Sequence, residues 1–88
     1  MKNKYYVYIL LTENNTLYCG YTDDVKKRFK EHLSGKGAKY TRANKPVRIL
    51  YTKEFLTKSD AQKEEYRIKH KLNRSQKFEL IKTHNNPD

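Results

Sequence analysis

Residues 5–21, YYVYILLTENNTLYCGY, decide how this chain folds. Tyr5 to Leu11 is a run of aromatic, aliphatic and β-branched side chains, Thr12 to Thr16 is a polar turn cluster, and Leu17 to Tyr21 resumes the apolar pattern. That succession is a β-hairpin. Alternation along the first strand sets Val7, Ile9 and Leu11 on one face and Tyr6, Tyr8 and Leu10 on the other. Gly20 marks the end of the second strand and leaves Tyr18 uncrowded.

Outward from the hairpin, Thr22, Asp23 and Asp24 offer an N-cap and first-turn acids, and Val25, Phe29 and Leu33 then recur at helical spacing. A helix from about Asp23 to Leu33 follows. Between Ser34 and Pro46 the periodicity disappears, and glycines alternate with Lys36, Lys39, Tyr40, Arg42 and Lys45 in a loop long enough to suggest function. Val47 to Phe55 alternates as a third strand, with Val47, Ile49, Tyr51 and Phe55 on one side. Thr57 or Ser59 then caps a second helix, SDAQKEEYRIKHKL, and Asn73 or Ser75 caps a short last helix through Ile81. The order β-β-α-β-α-α implies an α+β fold, a three-stranded antiparallel sheet with helices packed around it. One domain spanning residues 1–83 is expected, with 84–88 as a frayed tail within the segment THNNPD.

Composition narrows the function. The chain has 88 residues, enough for a single compact core, and its 20 Lys and Arg against 10 Asp and Glu leave a net charge of +10. The excess is spread along the chain, so a folded basic surface seeking phosphate is expected, with nucleic acid as partner. No apolar amphipathic anchor accompanies the charge, which argues against a membrane surface. The apolar run ending at Leu11 is too short for a signal sequence or a bilayer span, and a cytoplasmic setting is expected. The lone Cys19 excludes an internal disulfide and a multi-cysteine zinc site, leaving packing to supply stability.

Polar residues on apolar stripes carry the chemistry. In the second helix Ala61, Ile68 and Leu72 form the stripe, and at about 100° per residue Glu65 projects into its middle while Glu64 lies at its edge and can ride in solvent. A buried carboxylate without a partner costs several kcal/mol, so Glu65 must meet a cation, a metal ion, hydrogen-bond donors or an open cleft. A surface ion pair with Lys69, four residues on, is the plainer alternative. In the first helix His32 falls within the stripe of Val25 and Phe29, and Arg28 projects beside it one turn earlier. A hydrogen-bonded core histidine and a solvated arginine are the structural alternatives. Together a guanidinium, an imidazole and a carboxylate face inward beside a tyrosine-bearing hairpin. Phosphodiester cleavage needs such groups: Arg28 to hold phosphate, Glu65 to hold one Mg²⁺ or Mn²⁺, and Tyr8, Tyr18 or His32 to manage a proton. A tyrosine base needs its pKa of about 10 lowered, which nearby cations favour.

The succession Tyr6-Val7-Tyr8, Tyr18-Cys19-Gly20, Arg28, His32 and Glu65, with the helix and loop KKRFKEHLSGKGAKYTR and the segment EYRIK, resembles the GIY-YIG nuclease family, and most closely its small stand-alone bacterial branch. The likeness runs from about Tyr5 to Leu80. It implies that Tyr8 and Tyr18 match the motif tyrosines, Arg28 the catalytic arginine, His32 the histidine one turn later and Glu65 the metal ligand. It also implies one divalent ion and single-step hydrolysis without a covalent intermediate, with the choice of tyrosine as base differing among members. Tyr6 and Cys19 stand where the name-giving motifs have Gly and Ile, and Tyr21 where some members carry a lysine. Many members add a targeting domain, so sequence specificity is expected to be poor here unless a protein partner supplies it. Lys36, Lys39, Tyr40 and Arg42 are assigned to the nucleic-acid backbone, with Tyr40 able to stack on an unpaired base. The expected activity is hydrolysis of DNA, in preference to RNA, with branched, flapped or single-stranded forms as substrates. The alternatives are a module of the same fold that binds nucleic acid without cutting it, and an adaptor for an acidic protein.

Overall fold

In the computed structural model, which describes residues 4–85, strands β1 (Tyr5–Thr12), β2 (Leu17–Thr22) and β3 (Pro46–Phe55) form one antiparallel sheet in the order β2-β1-β3. β1 lies in the centre, where its apolar run is covered on both faces. The hairpin turn closes through the Thr12 and Thr16 backbones and a 2.6 Å bond between their hydroxyls, with Asn15 at φ 58°, a left-handed conformation that asparagine tolerates.

Helix α1 (Val25–Leu33) starts at Asp24, whose carboxylate accepts from the Lys27 amide at 3.1 Å. Thr57 caps α3 (Lys58–Lys71) in the same way through the Asp60 amide. Ahead of α4 (Arg74–Asn85), Asn73 and Gln76 bond each other's amides reciprocally, a capping box in which Asn73, and not Ser75, is the cap. Each cap satisfies amides that a helix start leaves open.

On one face of the sheet Val7, Ile9, Cys19 and Tyr51 meet Ala61 and Ile68 of α3 and Ile81 of α4, and this is the main core. Truncating Ile68, which is fully buried, to Ala should cost about 2–5 kcal/mol. On the other face Tyr8 and Leu10 are buried under the first helical layer. That second face carries the chemistry.

Three expectations need correction. Val47, Ile49, Tyr51 and Phe55 do not share a side: Tyr51 pairs with Ile9 but Ile49 pairs with Leu10, so a bulge at Leu50 exchanges the faces, and Val47 is exposed. The loop from Ser34 to Pro46 contains a one-turn helix, α2 (Lys39–Ala43), held by Thr41. Finally, α4 does not end at Ile81 but runs to Asn85, because the His84 ring packs 4.8 Å from that of Tyr51; the rest of the expected frayed tail, 86–88, lies outside the described residues. No helix among the described residues is long and apolar enough to cross a membrane.

Candidate active site

His32 is the one buried residue of α1, at 1% exposure, although Val25, Phe29 and Leu33 were the apolar residues of that helix. Its burial is stabilised by bonds at both ring nitrogens. Nε2 lies 2.8 Å from the Tyr8 hydroxyl, and Nδ1 lies 2.7 Å from the Thr41 hydroxyl of α2. Thr41 also donates to the Ala38 carbonyl at 3.0 Å, which leaves its oxygen to accept the proton on Nδ1; the 3.4 Å approach of the Ala38 amide to Nδ1 is the weaker contact. With this network the tautomer is assigned: Nδ1 carries the proton and Nε2 accepts from Tyr8.

Two glycines make the pair possible. A Cβ on Gly20 would stand 2.5 Å from the Tyr8 hydroxyl, and one on Gly37 would collide with His32 Nδ1. Gly20 thus serves Tyr8, its cross-strand partner, more directly than it serves Tyr18.

Burial pushes the Tyr8 phenol well above its ordinary range, Tyr18 adds to the rise, and the neighbouring Arg28 guanidinium only partly opposes it. The expected lowering by cationic charge is therefore outweighed by desolvation. His32 moves the other way: burial first and Arg28 second hold it below the usual histidine value, against a smaller pull from Glu31. A neutral imidazole thus faces a protonated phenol. Arg28 itself is a third exposed and donates through Nη1 to Glu31 at 2.9 Å, which fixes the guanidinium at the mouth of the site.

Tyr8, Tyr18, Gly20, Arg28 and Glu65 line one open cleft of about 540 Å³, together with Tyr5, Tyr21, Thr22, Asp23 and Lys58. Glu65 enters it from α3, with a side chain 20% exposed, and reaches Lys69 Nζ at 3.4 Å. Both readings of Glu65 are thus present, a cleft-facing carboxylate and an i,i+4 ion pair. Its neighbour Glu64 does not ride in solvent: it is more covered, at 14%, and both its oxygens accept from Arg67, which lowers its pKa.

The donor set fits a single hard cation. One carboxylate opening on a water-accessible cleft suits Mg²⁺ or Mn²⁺, which keep waters and take phosphate oxygens as further ligands. Among the described residues no group of three or more His, Cys, Asp or Glu is placed to hold a metal, so a closed zinc site has no ligands here.

Comparison with known proteins gives the family and the fold. The model of the GIY-YIG catalytic domain matches residues 4–79. The chain belongs to the GIY-YIG family. Within it, the chain is 52% identical over 80 residues to the UPF0213 protein YsiG of Lactococcus lactis, covering 91% of this chain and 77% of that protein. It is 49% identical over 81 residues to the UPF0213 protein OB0043 of Oceanobacillus iheyensis, covering 92% and 93%. Two solution NMR structures share the fold: protein EF2693 from E. faecalis, at 39% identity and TM-score 0.66 with 100% and 95% of the chains covered, and the UPF0213 protein BH0048 from Bacillus halodurans, at 45% identity and TM-score 0.61 with 96% and 88% covered.

In this GIY-YIG domain the basic loop is split in its placement. Tyr40 stacks on Tyr18 with ring centroids 5.9 Å apart and donates to Thr16 at 2.7 Å, which sets it beside the cleft and partly occupies its face. Lys39 and Arg42 are exposed on the same short helix, whereas Lys36 lines a separate groove along α1 with Lys26, Lys27 and Lys30. Sequence reasoning missed Thr41, Gly37 and Lys58. Nothing in the sequence marks Thr41, because its partner His32 is on another helix; Gly37 was readable only as a loop glycine.

Proposed function

We propose that this GIY-YIG domain is a metal-dependent endonuclease that hydrolyses phosphodiester bonds of DNA by one-step attack of water. The observation that carries this reading is the convergence of Tyr8, Tyr18, Arg28 and Glu65 on one cleft, with Tyr8 bonded to a buried, neutral His32. Glu65 would hold the divalent ion, which when bound would supply positive charge to the scissile phosphate and support its leaving group. Arg28 presents a planar fork to the phosphate and steadies the charge that grows on it.

The high pKa of Tyr8 excludes a resting phenolate, so its role as base depends on His32. As water attacks phosphorus, its proton passes to the Tyr8 oxygen while the phenolic proton crosses 2.8 Å to His32 Nε2. The bond from phosphorus to the leaving oxygen breaks in the same step, and that oxygen takes a proton from solvent. Thr41 accepts from Nδ1–H throughout and holds the ring in line. Tyr18 forms the wall between His32 and Tyr40. A mechanism that uses water needs no 2′-hydroxyl on the substrate, so it is open to DNA.

Lys39, Tyr40 and Arg42 beside the cleft would take the backbone of an extended or unpaired strand. The test is incubation of the purified protein with branched, flapped, single-stranded and duplex DNA in Mg²⁺ or Mn²⁺. Cleavage that is lost in Glu65→Ala and Arg28→Ala supports the reading. No cleavage, or cleavage undiminished in both variants, sinks it, and salt-sensitive binding that ignores metal would identify a non-cutting module instead.

A further inference from the structure

Lys69 was read from sequence only as the surface partner of Glu65. In the structure its ammonium does more. It lies 3.4 Å from Glu65 Oε2 and also 5.4 Å from the centroid of the Tyr18 ring, a residue of β2. A surface i,i+4 pair has both members in solvent. Here the carboxylate is largely covered and opens on the cleft, and the cation sits between it and one of the cleft's tyrosines. Arg28, another cation at the site, is engaged with Glu31, and Lys58 lines the same cleft.

Resting on the reading of Glu65 as the metal ligand, we propose that Lys69 is a built-in counter-ion that occupies the Glu65 carboxylate in the free protein, yields it to the divalent ion and then turns its ammonium to a substrate phosphate. A carboxylate held by an ammonium at this distance presents less negative charge to an arriving dication, and the ammonium and the dication repel. The lysine stem is flexible and carries three rotatable donors, so it can swing from Glu65 toward the cleft while its helix stays in place. Lys69 lies one turn beyond Glu65 on α3, which keeps the ammonium within reach of both positions. The arrangement makes ion binding and phosphate binding cooperative: the ion releases the cation that the phosphate then takes up.

Lys69 is thus a positioning residue for the ion and a contact residue for the substrate, and the two roles have opposite signatures. Mn²⁺ alone is titrated into the intact protein and free Mn²⁺ is followed by electron paramagnetic resonance. Lys69→Met should bind Mn²⁺ about three- to tenfold more tightly than wild type, since a competing ammonium is removed. At saturating Mn²⁺ the same variant should bind and cleave DNA more weakly. Lys69→Arg should keep wild-type Mn²⁺ affinity within about twofold. A lysine that merely braces α3 would give a variant with a lower melting temperature and unchanged or weaker Mn²⁺ binding, and that result overturns the proposal while leaving the nuclease reading intact. Absence of Mn²⁺ binding in wild type and Lys69→Met alike overturns the proposal together with the assignment of Glu65.

Discussion

Replacing Tyr8 by Phe removes one oxygen from the floor of the cleft, where Tyr8 is 2% and His32 1% exposed and the side of the hydroxyl toward His32 is covered. The hydroxyl is also flanked by Gly20 so closely that a Cβ there would overlap it. The space left behind on the His32 side is the size of one oxygen, too small to hold there a water with partners of its own. His32 Nε2 is then a buried acceptor without a donor, and such a group costs about 1–3 kcal/mol. For a domain of this size each kcal/mol moves the melting temperature by about 4–8 °C, so Tyr8→Phe should melt about 4–24 °C lower than wild type. Its effect on cleavage should exceed its effect on stability. Loss of a group that relays a proton in the transition state lowers the rate by about 10²–10⁴-fold. The assay is single-turnover cleavage of DNA at saturating Mg²⁺, at a temperature where circular dichroism shows the variant folded. Cleavage reduced less than about tenfold makes Tyr8 a packing residue and refutes the relay. A melting temperature within about 2 °C of wild type refutes the buried bond on which the magnitude rests.

Glu65→Gln keeps size and hydrogen-bonding capacity but removes the ligand charge: Mn²⁺ binding and cleavage should vanish while salt-dependent DNA binding, measured by anisotropy, persists. His32 is held neutral with its pKa below the ordinary value, so the stability it contributes is fully present above the unfolded-state pKa of about 6.5 and is lost as pH falls from there through the folded pKa. Cleavage should fade on the same acid limb, and the fall in melting temperature over that limb should flatten in His32→Gln. Gly20→Ala places a Cβ 2.5 Å from the Tyr8 hydroxyl and 2.7 Å from Cζ, so the ring must shift away from His32. Cleavage should drop by at least about tenfold with the β-sheet circular dichroism retained; unchanged cleavage would show that Tyr8 need not be held where it lies.

The sequence by itself determined the elements and which residues are out of place on them. Strand alternation, caps and helical spacing are local properties, so the hairpin, both main helices and the inward aim of His32 and Glu65 were legible from residue order. The same periodicity misassigned β3, because a bulge at Leu50 arises from pairing with β1 and leaves no local mark. Tertiary structure alone decided what the odd residues meet. Tyr8 and His32 are 24 positions apart, and their bond exists because α1 is laid against the sheet on the Tyr8 side, with Gly20 and Gly37 admitting the two rings. Thr41 becomes the partner of His32 only when a turn of helix forms in the basic loop. The direction of the Tyr8 pKa was settled there too: sequence shows the cations that lower it, but the larger effect is desolvation, which depends on how completely the neighbouring elements close over the hydroxyl.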